Sequence, residues 1–175
     1  MPTRFSVFIA TTLDGFIARP DGAVDFLSVA DPPNAGVEDY GYAKFFDSID
    51  TLVVGRKTYE LALSFPSWPY GGKRVVVMTT RQRAPKYDET FFSGTATELA
   101  ESLRDGSRRV YVDGGSVIRQ FLAEKILTDL TLSILPIMIG DGIRLFGDLS
   151  RDVRLALVDS RAFPSGLVQL EYVPR

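Results

Sequence analysis

The sequence predicts one α/β domain with a mostly parallel, mixed sheet flanked by helices. Two observations lead to this fold class. Short apolar runs alternate with segments of helical periodicity along most of the chain, which is typical of a parallel sheet. The C-terminal part carries two strand-like segments joined by a turn, which predicts an antiparallel hairpin. No repeat, linker or low-complexity tract interrupts the 175 residues, so we expect a single domain over 1–175.

The N-terminal half predicts three strands and two helices from apolar runs and amphipathic stripes. In order, these are strand 5–12, helix 38–49, strand 52–54, helix 56–63 and strand 75–78. Residues 19–37 are rich in proline and glycine and have little periodicity. A loop of this length in a compact domain is usually functional, and we expect it to close over a ligand as a lid.

The C-terminal half predicts five strands and two helices. In order, these are edge strand 90–92, helix 95–105, strand 109–112, helix 117–124, strand 128–135 and the hairpin strands 155–162 and 167–173. Thr95 and Glu98 form a capping-box pattern at the start of the first of these helices. Pro164, Ser165 and Gly166 supply the hairpin turn.

Composition excludes several classes of site. The chain has no cysteine and no histidine, which removes disulfides, thiolate nucleophiles and His-based triads, so no metal site is expected. A net charge of -2 gives no general attraction to nucleic acid or anionic membranes. No apolar run is long enough for a membrane span and no signal peptide is present, so we expect a cytoplasmic protein.

Three segments predict a site for anions at one edge of the sheet. Gly55 follows a buried strand and opens a helix, whose first unpaired N–H groups suit a phosphate, with Arg56 and Lys57 beside them. Gly114, Gly115 and Ser116 repeat this arrangement after strand 109–112. Thr79, Thr80 and Arg81 follow a third strand. Ligands of open α/β sheets bind at the carboxyl ends of the strands, so we expect all three segments to lie together.

The order of several motifs resembles one known family. They are Thr12-Leu-Asp-Gly-Phe-Ile-Ala18, Val54-Gly-Arg-Lys-Thr-Tyr59, Val112-Asp-Gly-Gly-Ser116 with Gln120-Phe-Leu122, and Leu135-Pro-Ile-Met-Ile-Gly-Asp-Gly142 with Leu145-Phe146. This combination resembles the dihydrofolate-reductase-like family that includes the reductase domain of riboflavin biosynthesis, above all its small stand-alone bacterial members. No Gly-x-Gly-x-x-Gly and no Walker motif is present.

The resemblance implies NADPH as the cofactor. By position, it assigns the pyrophosphate and 2′-phosphate to Gly55, Arg56, Lys57 and Thr58, and the adenosine phosphate to Thr79, Thr80 and Arg81. It assigns the rest of the pyrophosphate and ribose to Gly114, Gly115, Ser116, Val117 and Ile118, and the nicotinamide to Ala10, Ile17 and Ala18. It also implies a cis peptide near the paired glycines.

On the substrate side, the resemblance implies one essential carboxylate, which corresponds to Asp39. Helical spacing places residues 39, 42, 46 and 49 on one face, so Asp39 could extend the apolar stripe into a pocket and have a raised pKa. Alternatively, it is an ordinary acidic residue in the first turn of a helix. Further candidates for substrate binding are Asp14, for which turn chemistry favours a structural role, Phe26 and Ser133.

These observations predict an NADPH-dependent reductase of a small pterin- or pyrimidine-like heterocycle, similar to dihydrofolate reductase or to 5-amino-6-(5-phosphoribosylamino)uracil reductase. The chain departs from the riboflavin-pathway pattern at Gly55-Arg-Lys-Thr58 and lacks the Asp-Asp-Pro that usually follows. Two alternatives therefore stay open: a dinucleotide-binding module without turnover, and a phosphate-ligand enzyme that uses no nicotinamide. A homodimer through the C-terminal hairpin or a sheet edge is also expected, by analogy with relatives.

Overall fold

The structure, a computed structural model, describes residues 2–30, 38–81, 83–147, 149 and 151–175. Eight strands form one sheet in the order β5-β4-β3-β6-β1-β7-β10-β9, and two short strands, β2 and β8, pair separately. The strands are β1 (Arg4–Thr12), β2 (Phe16–Ala18), β3 (Thr51–Gly55), β4 (Arg74–Met78), β5 (Thr90–Phe92), β6 (Arg109–Asp113), β7 (Asp129–Leu135), β8 (Ile143–Arg144), β9 (Leu155–Ala162) and β10 (Val168–Pro174). The α-helices are α1 (Tyr42–Ser48), α2 (Arg56–Leu63), α3 (Ala96–Leu103) and α4 (Gly115–Ala123), and Asp25–Ala30 forms a 3-10 helix.

Six neighbouring strands of the large sheet run parallel; in spatial order they are β5, β4, β3, β6, β1 and β7. Only β10 and β9 add antiparallel pairs, as the predicted hairpin requires. The central strands are apolar because both of their faces are covered; Leu52, Val53 and Val54 of β3, for example, have no solvent exposure. The predicted fold class is therefore confirmed.

Helices cover the two faces of this sheet with separate cores. On one face α3 and α4 pack on Val7, Val53 and Val112. On the other face α1 and α2 pack on Val54 and Tyr111. Because side chains of a strand alternate between faces, residues 109, 111 and 113 of β6 point toward α1 and α2. This alternation decides which side chains reach the site described below.

The helix boundaries differ from the prediction at two places. Helix α1 begins at Tyr42 instead of residue 38, because Tyr40 and Gly41 adopt positive φ angles of 54° and 86° and turn the chain before it. Helix α4 begins at Gly115 instead of residue 117. The predicted lid, 19–37, contains the 3-10 helix in its described part, and 31–37 lie outside the described residues.

Local contacts fix the start of α3 and the loop after α2. The capping box of α3 is confirmed: the Thr95 side chain accepts from the Glu98 amide, and Glu98 accepts from the Thr95 amide. Trp68, in the loop after α2, stacks on Tyr87 with ring centroids 4.5 Å apart and meets Tyr59 edge-on at 6.1 Å. Within the described ranges, no helix is long and apolar enough to cross a membrane.

Candidate active site at the carboxyl edge of the sheet

Three chain segments meet where the parallel strands end. In the register of the sheet, Val54 lies beside Asp113 and Gly55 lies beside Met78. The segments that follow β3, β4 and β6 therefore leave the sheet side by side, which is the arrangement that the sequence predicts. Arg56, Thr79 and Ser116 all belong to these segments. Helices α2 and α4 begin here, so their free N–H groups face the same edge.

The paired glycines allow close approach of backbone segments. Gly114 has a φ of +94°, and a Cβ at this position would lie 2.6 Å from the Thr58 hydroxyl oxygen. A Cβ at Gly115 would lie 2.7 Å from Cδ1 of Ile17. A side chain at Gly114 would therefore meet both an unfavourable φ and the Thr58 hydroxyl, whereas one at Gly115 would have to displace the end of the Ile17 side chain. The implied cis peptide is wrong for this chain: the described residues contain none, and the positive φ of Gly114 makes the bend instead.

A cavity of about 160 Å³ lies between α2 and the end of β4. Its lining includes the predicted phosphate contacts Arg56, Thr79 and Arg81, and in addition Arg83. The Arg56 guanidinium donates to both carboxylate oxygens of Glu60 at 2.9 Å, and Arg83 lies 3.8 Å from the same carboxylate. Glu60 therefore holds two guanidinium groups in place at the wall of this cavity. Sequence analysis did not identify Arg83.

The residues at this edge suit a phosphorylated dinucleotide, except that two of the predicted contacts have buried side chains. Lys57, Thr80 and Ser116 are exposed and free to turn toward a ligand. Val117 and Ile118, by contrast, are buried in the core between α4 and the sheet. Only their backbone groups can therefore contribute to binding. Paired glycines, free helix N–H groups and clustered guanidinium groups together suit a chain of phosphates.

A slot opens between β1 and β6 at the same edge. Their pairing stops at Ser6 and Tyr111, although β1 continues to Thr12 beside β7 and β6 continues to Asp113 beside β3. The Tyr111 hydroxyl donates to the Phe8 carbonyl across the widening gap at 2.9 Å. A planar ring is the kind of group that can enter between two parting strands.

The residues predicted around the nicotinamide surround this slot. Ala10 lies on β1 beside Ser133 of β7, past the point where β6 leaves. Ile17 contacts the paired glycines, and the Ala18 carbonyl lies against Gly142. Strand β2, which carries Ile17 and Ala18, is held in place by its pairing with β8. Of these residues, Ile17 is the one that contacts the paired glycines, at Gly115.

Asp113 is the functional candidate that sequence analysis missed. Burial raises the pKa of its carboxyl to about 6, and only a 2.8 Å hydrogen bond from the Gly114 amide opposes this effect. Yet the residue keeps partial solvent exposure. No buried side-chain oxygen among the described residues lacks a partner, so the second carboxylate oxygen must face open space. A carboxyl that is largely enclosed by protein and keeps one oxygen accessible to solvent can exchange a proton with a bound molecule.

Aromatic side chains of β1 and α1 contact one another on the same face of the sheet as Asp113. The rings of Phe8 and Tyr42 meet edge-on with centroids 5.7 Å apart, and Tyr42 lies 5.8 Å from Phe46. Burial raises the pKa of Tyr42 to about 12, with a smaller contribution from the Asp113 charge. The same two causes hold the pKa of Tyr111 well above its usual value. These shifts place both phenols in the electrostatic range of Asp113.

Asp39, the predicted catalytic carboxylate, is exposed and stands at the start of α1. Its carboxylate accepts hydrogen bonds from the amides of Ala43 and Gly41, both at 2.9 Å. These bonds lower its pKa, so the prediction of a raised pKa is wrong. The physical reason is that α1 begins four residues later than predicted, so Asp39 holds the helix N-terminus instead of extending the apolar stripe.

The other predicted substrate contacts have structural partners. Asp14 accepts from the Thr12 hydroxyl at 2.6 Å and from the Gly140 amide at 2.8 Å, which lowers its pKa and ties the first turn to the loop after β7. Phe26 is buried in a small core with Leu135 and Leu167. Ser133 is buried and accepts from the Gln169 amide group at 3.1 Å.

Comparison with known proteins gives one family and several similar chains. The family model described as the RibD C-terminal domain matches residues 5–169. A crystal structure of a putative riboflavin biosynthesis protein from Shewanella sp. PV-4 is 32% identical, covers 99% of both chains and has a TM-score of 0.90. The uncharacterized protein YwjB of Bacillus subtilis is 29% identical over 177 residues, 99% of both chains. Dihydrofolate reductase from Enterococcus faecalis, solved with NADP(H), shares the fold at 14% identity, with a TM-score of 0.70 over 100% of this chain and 99% of that one.

Proposed function

Because this chain belongs to the RibD C-terminal domain family, we propose that it is an NADPH-dependent reductase. Its substrate in this proposal is a small pterin- or pyrimidine-like heterocycle with a reducible C=N or C=O bond. NADPH would supply the hydride, which needs neither a histidine nor a cysteine from the protein. The observation that carries the proposal is the meeting of three anion-binding segments beside a slot between parting strands.

The protein's own residues would bind and orient the cofactor. Arg56, Lys57 and Thr58 at the start of α2 and Thr79, Thr80 and Arg81 after β4 would bind its phosphates. Gly114, Gly115 and Ser116 would bind the pyrophosphate through backbone groups, because Gly114 and Gly115 carry no side chain. The slot flanked by Ala10, Ile17 and Ala18 would exclude water from one face of the nicotinamide.

We assign the proton-transfer role to Asp113 in place of Asp39. A reduction of C=N or C=O needs a proton at the heteroatom after hydride arrival. The Asp113 carboxyl has a pKa near 6, so a useful fraction is protonated near neutral pH, and one of its oxygens is accessible to solvent. The Asp39 carboxylate is exposed, ionised and occupied with helix amides.

Calorimetric titration with NADPH and NADH tests the cofactor assignment. Wild-type protein should bind NADPH more tightly than NADH, and Arg81→Ala should reduce NADPH affinity about tenfold, since it removes one charge-assisted bond to phosphate. NADH affinity should not change in this variant. Arg154→Ala, an exposed arginine just before β9, is the matched control and should bind both cofactors like wild type. Equal, weak binding of both cofactors to wild type would overturn the assignment.

A dinucleotide-binding module of this fold without turnover is the second candidate. The exposed, ionised state of Asp39 favours it, since the one carboxylate implied by the resemblance is not placed for chemistry. NADPH binding without oxidation across pterins, pyrimidines and quinones would support this alternative. Oxidation that Asp113→Asn removes would exclude it.

We also propose that two copies of the chain pair through β9. This strand ends the large sheet and leaves its outer edge without a partner in the described structure. It carries exposed Leu157 and Val158, at 56% and 60% exposure. An exposed apolar edge strand is a ready surface for pairing with a second copy.

A further inference from the structure

We propose that Arg83 contacts the 2′-phosphate of NADPH and that Glu60 is an internal competitor of this phosphate. In the free protein the Glu60 carboxylate occupies Arg56 and Arg83, and the phosphate displaces it on binding. The ligand class is a terminal phosphomonoester, which carries about two negative charges. This inference rests on the proposed function, because it concerns the cofactor end of the same site.

One face of α2 and the segment after β4 border the cavity in which these groups meet. Arg56, Tyr59 and Glu60 are three and four residues apart on α2, so their side chains share one helical face. The cavity has a volume of about 160 Å³, roughly ten times what a single water molecule needs. A phosphate group therefore has room beside Thr79, which also lines the cavity.

The charges at the cavity favour a phosphomonoester over a phosphodiester. The described lining carries guanidinium groups from Arg56, Arg81 and Arg83 and one carboxylate, from Glu60. A phosphodiester, with a single negative charge, would replace the charge of that carboxylate without adding to it. A phosphomonoester carries about two negative charges at pH 7.5, because its second pKa is about 6. The additional charge makes displacement of Glu60 favourable.

The contacts of Glu60 are of a kind that a phosphate can replace. Nη1 of Arg56 donates to both carboxylate oxygens at 2.9 Å, and Nη2 of Arg83 lies 3.8 Å from one of them. All three side chains are more than a third exposed. An exposed ion pair between residues four apart on a helix contributes little to stability, because water competes for both partners. Glu60 therefore leaves these guanidinium groups at small cost.

Arg56 keeps donors for a stronger contact. Its guanidinium has several N–H groups, and the contact with Glu60 involves the Nη1 nitrogen alone. A phosphate can accept parallel bonds from two nitrogens of one guanidinium, a geometry that Glu60 does not adopt here. Such bidentate, charge-assisted bonds are among the strong hydrogen bonds of proteins. The exchange of Glu60 for a phosphate thus replaces a weak contact by a stronger one.

Arg83 lies on a fixed aromatic support. Its guanidinium carbon is 4.8 Å from the ring centroid of Tyr59, which is buried. The Tyr59 hydroxyl donates to the Glu89 carboxylate at 2.5 Å. Glu89 is also buried, and it accepts from the amides of Lys86 and Tyr87, both at 2.8 Å. This buried network fixes the ring under Arg83, so the guanidinium can meet a ligand with little reorganisation of the protein.

Binding of adenosine 2′-monophosphate, which lacks the nicotinamide, tests the cavity by itself. Calorimetry at pH 7.5 should give at least about tenfold tighter binding of this monoester than of adenosine 2′,3′-cyclic monophosphate, whose phosphate is a diester. Arg83→Ala should weaken binding of the monoester about tenfold, since it removes one charge-assisted contact. Arg104→Ala, an exposed arginine at the end of α3, is the matched control and should bind like wild type. Equal binding of the two esters to wild type, binding of neither, or an unchanged affinity in Arg83→Ala would overturn the inference.

Glu60→Gln separates competition from positioning. Glutamine keeps the shape of the side chain and removes its charge, so the phosphate no longer has to displace a carboxylate. We expect the monoester to gain at least about fivefold in affinity over wild type. A residue that merely held the guanidinium groups in place would produce a loss instead. Glu101→Gln, an exposed glutamate on α3, is the matched control and should leave the affinity unchanged. An unchanged or lower affinity in Glu60→Gln would show that Glu60 is not a competitor.

Titration with NADPH and NADH distinguishes this inference from the proposed function. In Glu60→Gln the affinity for NADPH should rise and that for NADH should stay constant, because NADH has no 2′-phosphate. Tight NADPH binding that neither Glu60→Gln nor Arg83→Ala changes contradicts only this inference. If the monoester shows the expected variant effects but wild type has no preference for NADPH over NADH, the proposed reductase is contradicted, and competition between Glu60 and a phosphomonoester is supported.

Discussion

At the scale of single residues, Asp113 combines two properties that rarely occur together. Its carboxyl is enclosed enough for burial to raise the pKa to about 6, and one of its oxygens still faces open space. Carboxyl groups of this kind concentrate at active sites. Their burial lowers the stability of the protein, and it is retained where function requires the buried group. Two predictions about this residue follow, one for stability and one for catalysis.

Asp113→Asn should stabilise the protein at pH 7. The folded-state pKa of about 6 lies above the ordinary value of 3.8, so between these values the folded state binds the proton more tightly than the unfolded state. Stability contributed by this group therefore falls as pH rises from about 4 to 6, and the full penalty remains above pH 6. The gain at pH 7 should be at most about 3 kcal/mol, measured by urea unfolding. The gain should vanish near pH 3.5, and a variant less stable than wild type at pH 7 would contradict the argument.

Turnover should decline as pH rises through about 6 if Asp113 supplies the proton, since only the protonated carboxyl can donate. The measurement is kcat for NADPH oxidation between pH 5 and 8 with a ring acceptor that turns over. Asp113→Asn should lower kcat about 100-fold and remove the pH step, consistent with the usual effect of a general acid. Asp39→Asn is the comparison variant; a larger loss there would return the catalytic role to Asp39.

Gly114→Ala probes the close approach at the paired glycines. An alanine there meets both the unfavourable φ of +94° and the Thr58 hydroxyl, so we expect a loss of about 1–3 kcal/mol in stability together with loss of NADPH binding. Gly22→Ala is the matched control, because its φ is +91° and nothing lies within 4 Å of the added Cβ. The control should show backbone strain alone, with cofactor affinity intact. Normal NADPH affinity in a folded Gly114→Ala variant would rule out the assigned role of this glycine.

Sequence analysis could identify Gly114 but could not identify Asp113. The need for a glycine is a local property of the tight junction between β6 and α4, and the pattern Asp-Gly-Gly-Ser predicts it. The raised pKa of Asp113 depends instead on burial, and its charge acts on Tyr42 and Tyr70 from two other parts of the chain and on Tyr111 of its own strand. The raised pKa predicted for Asp39 is wrong for a related reason: helical spacing extends the apolar stripe to this residue only if the helix includes it, and the turn at Tyr40 and Gly41 prevents this.

At the scale of elements, those whose sequence pattern depends on nearby residues could be predicted. Those that form only by pairing with a distant segment could not. The apolar run of β3 and the capping box of α3 depend on consecutive or nearby residues, and both are confirmed. Strands β2 and β8 are three and two residues long, so neither has a periodicity to detect, and each exists through pairing with the other. That pairing nevertheless carries Ile17 and Ala18 to the slot.

Thr95→Ala tests whether the α3 cap acts independently of the site. Loss of the side-chain bond to the Glu98 amide should cost about 1 kcal/mol in unfolding free energy. Since α3 packs on the sheet away from the cofactor residues, NADPH affinity should stay within twofold of wild type. Ser102→Ala, near the other end of α3, should cost less than about 0.5 kcal/mol because its hydroxyl bonds only the Leu99 carbonyl of its own helix. An equal cost for both variants would show that the cap does not stabilise the helix.

At the scale of the whole molecule, the order of strands explains why so much of the fold was predictable. Of the six parallel strands, all but the edge strand β5 lie in the interior of the sheet and have apolar sequences, so alternation with helices identifies them. The order of β3, β6 and β1 in space, however, depends on crossovers that no local pattern specifies. The slot between β1 and β6 follows from that order and could only be implied by the family resemblance.

The proposed dimer predicts a change in assembly when the β9 edge is charged. Wild-type protein should elute as a dimer in size-exclusion chromatography with light scattering, and Val158→Lys should give a monomer, because a lysine at an exposed edge opposes strand pairing. Leu61→Lys replaces an exposed leucine on α2 and should remain dimeric. A monomeric wild type at micromolar concentration would rule out the β9 interface.

The aromatic stack around Trp68 has a practical consequence for this molecule. Trp68 is the only tryptophan in the chain, and Tyr59, which it meets edge-on, also lines the cavity beside Arg56 and Arg81. The fluorescence of Trp68 should therefore report ligand binding at that cavity without a label, because Trp68 contacts a ring that lines it. A nicotinamide cofactor in its reduced form absorbs where indole emits, so occupancy could be followed in real time by energy transfer from this single donor.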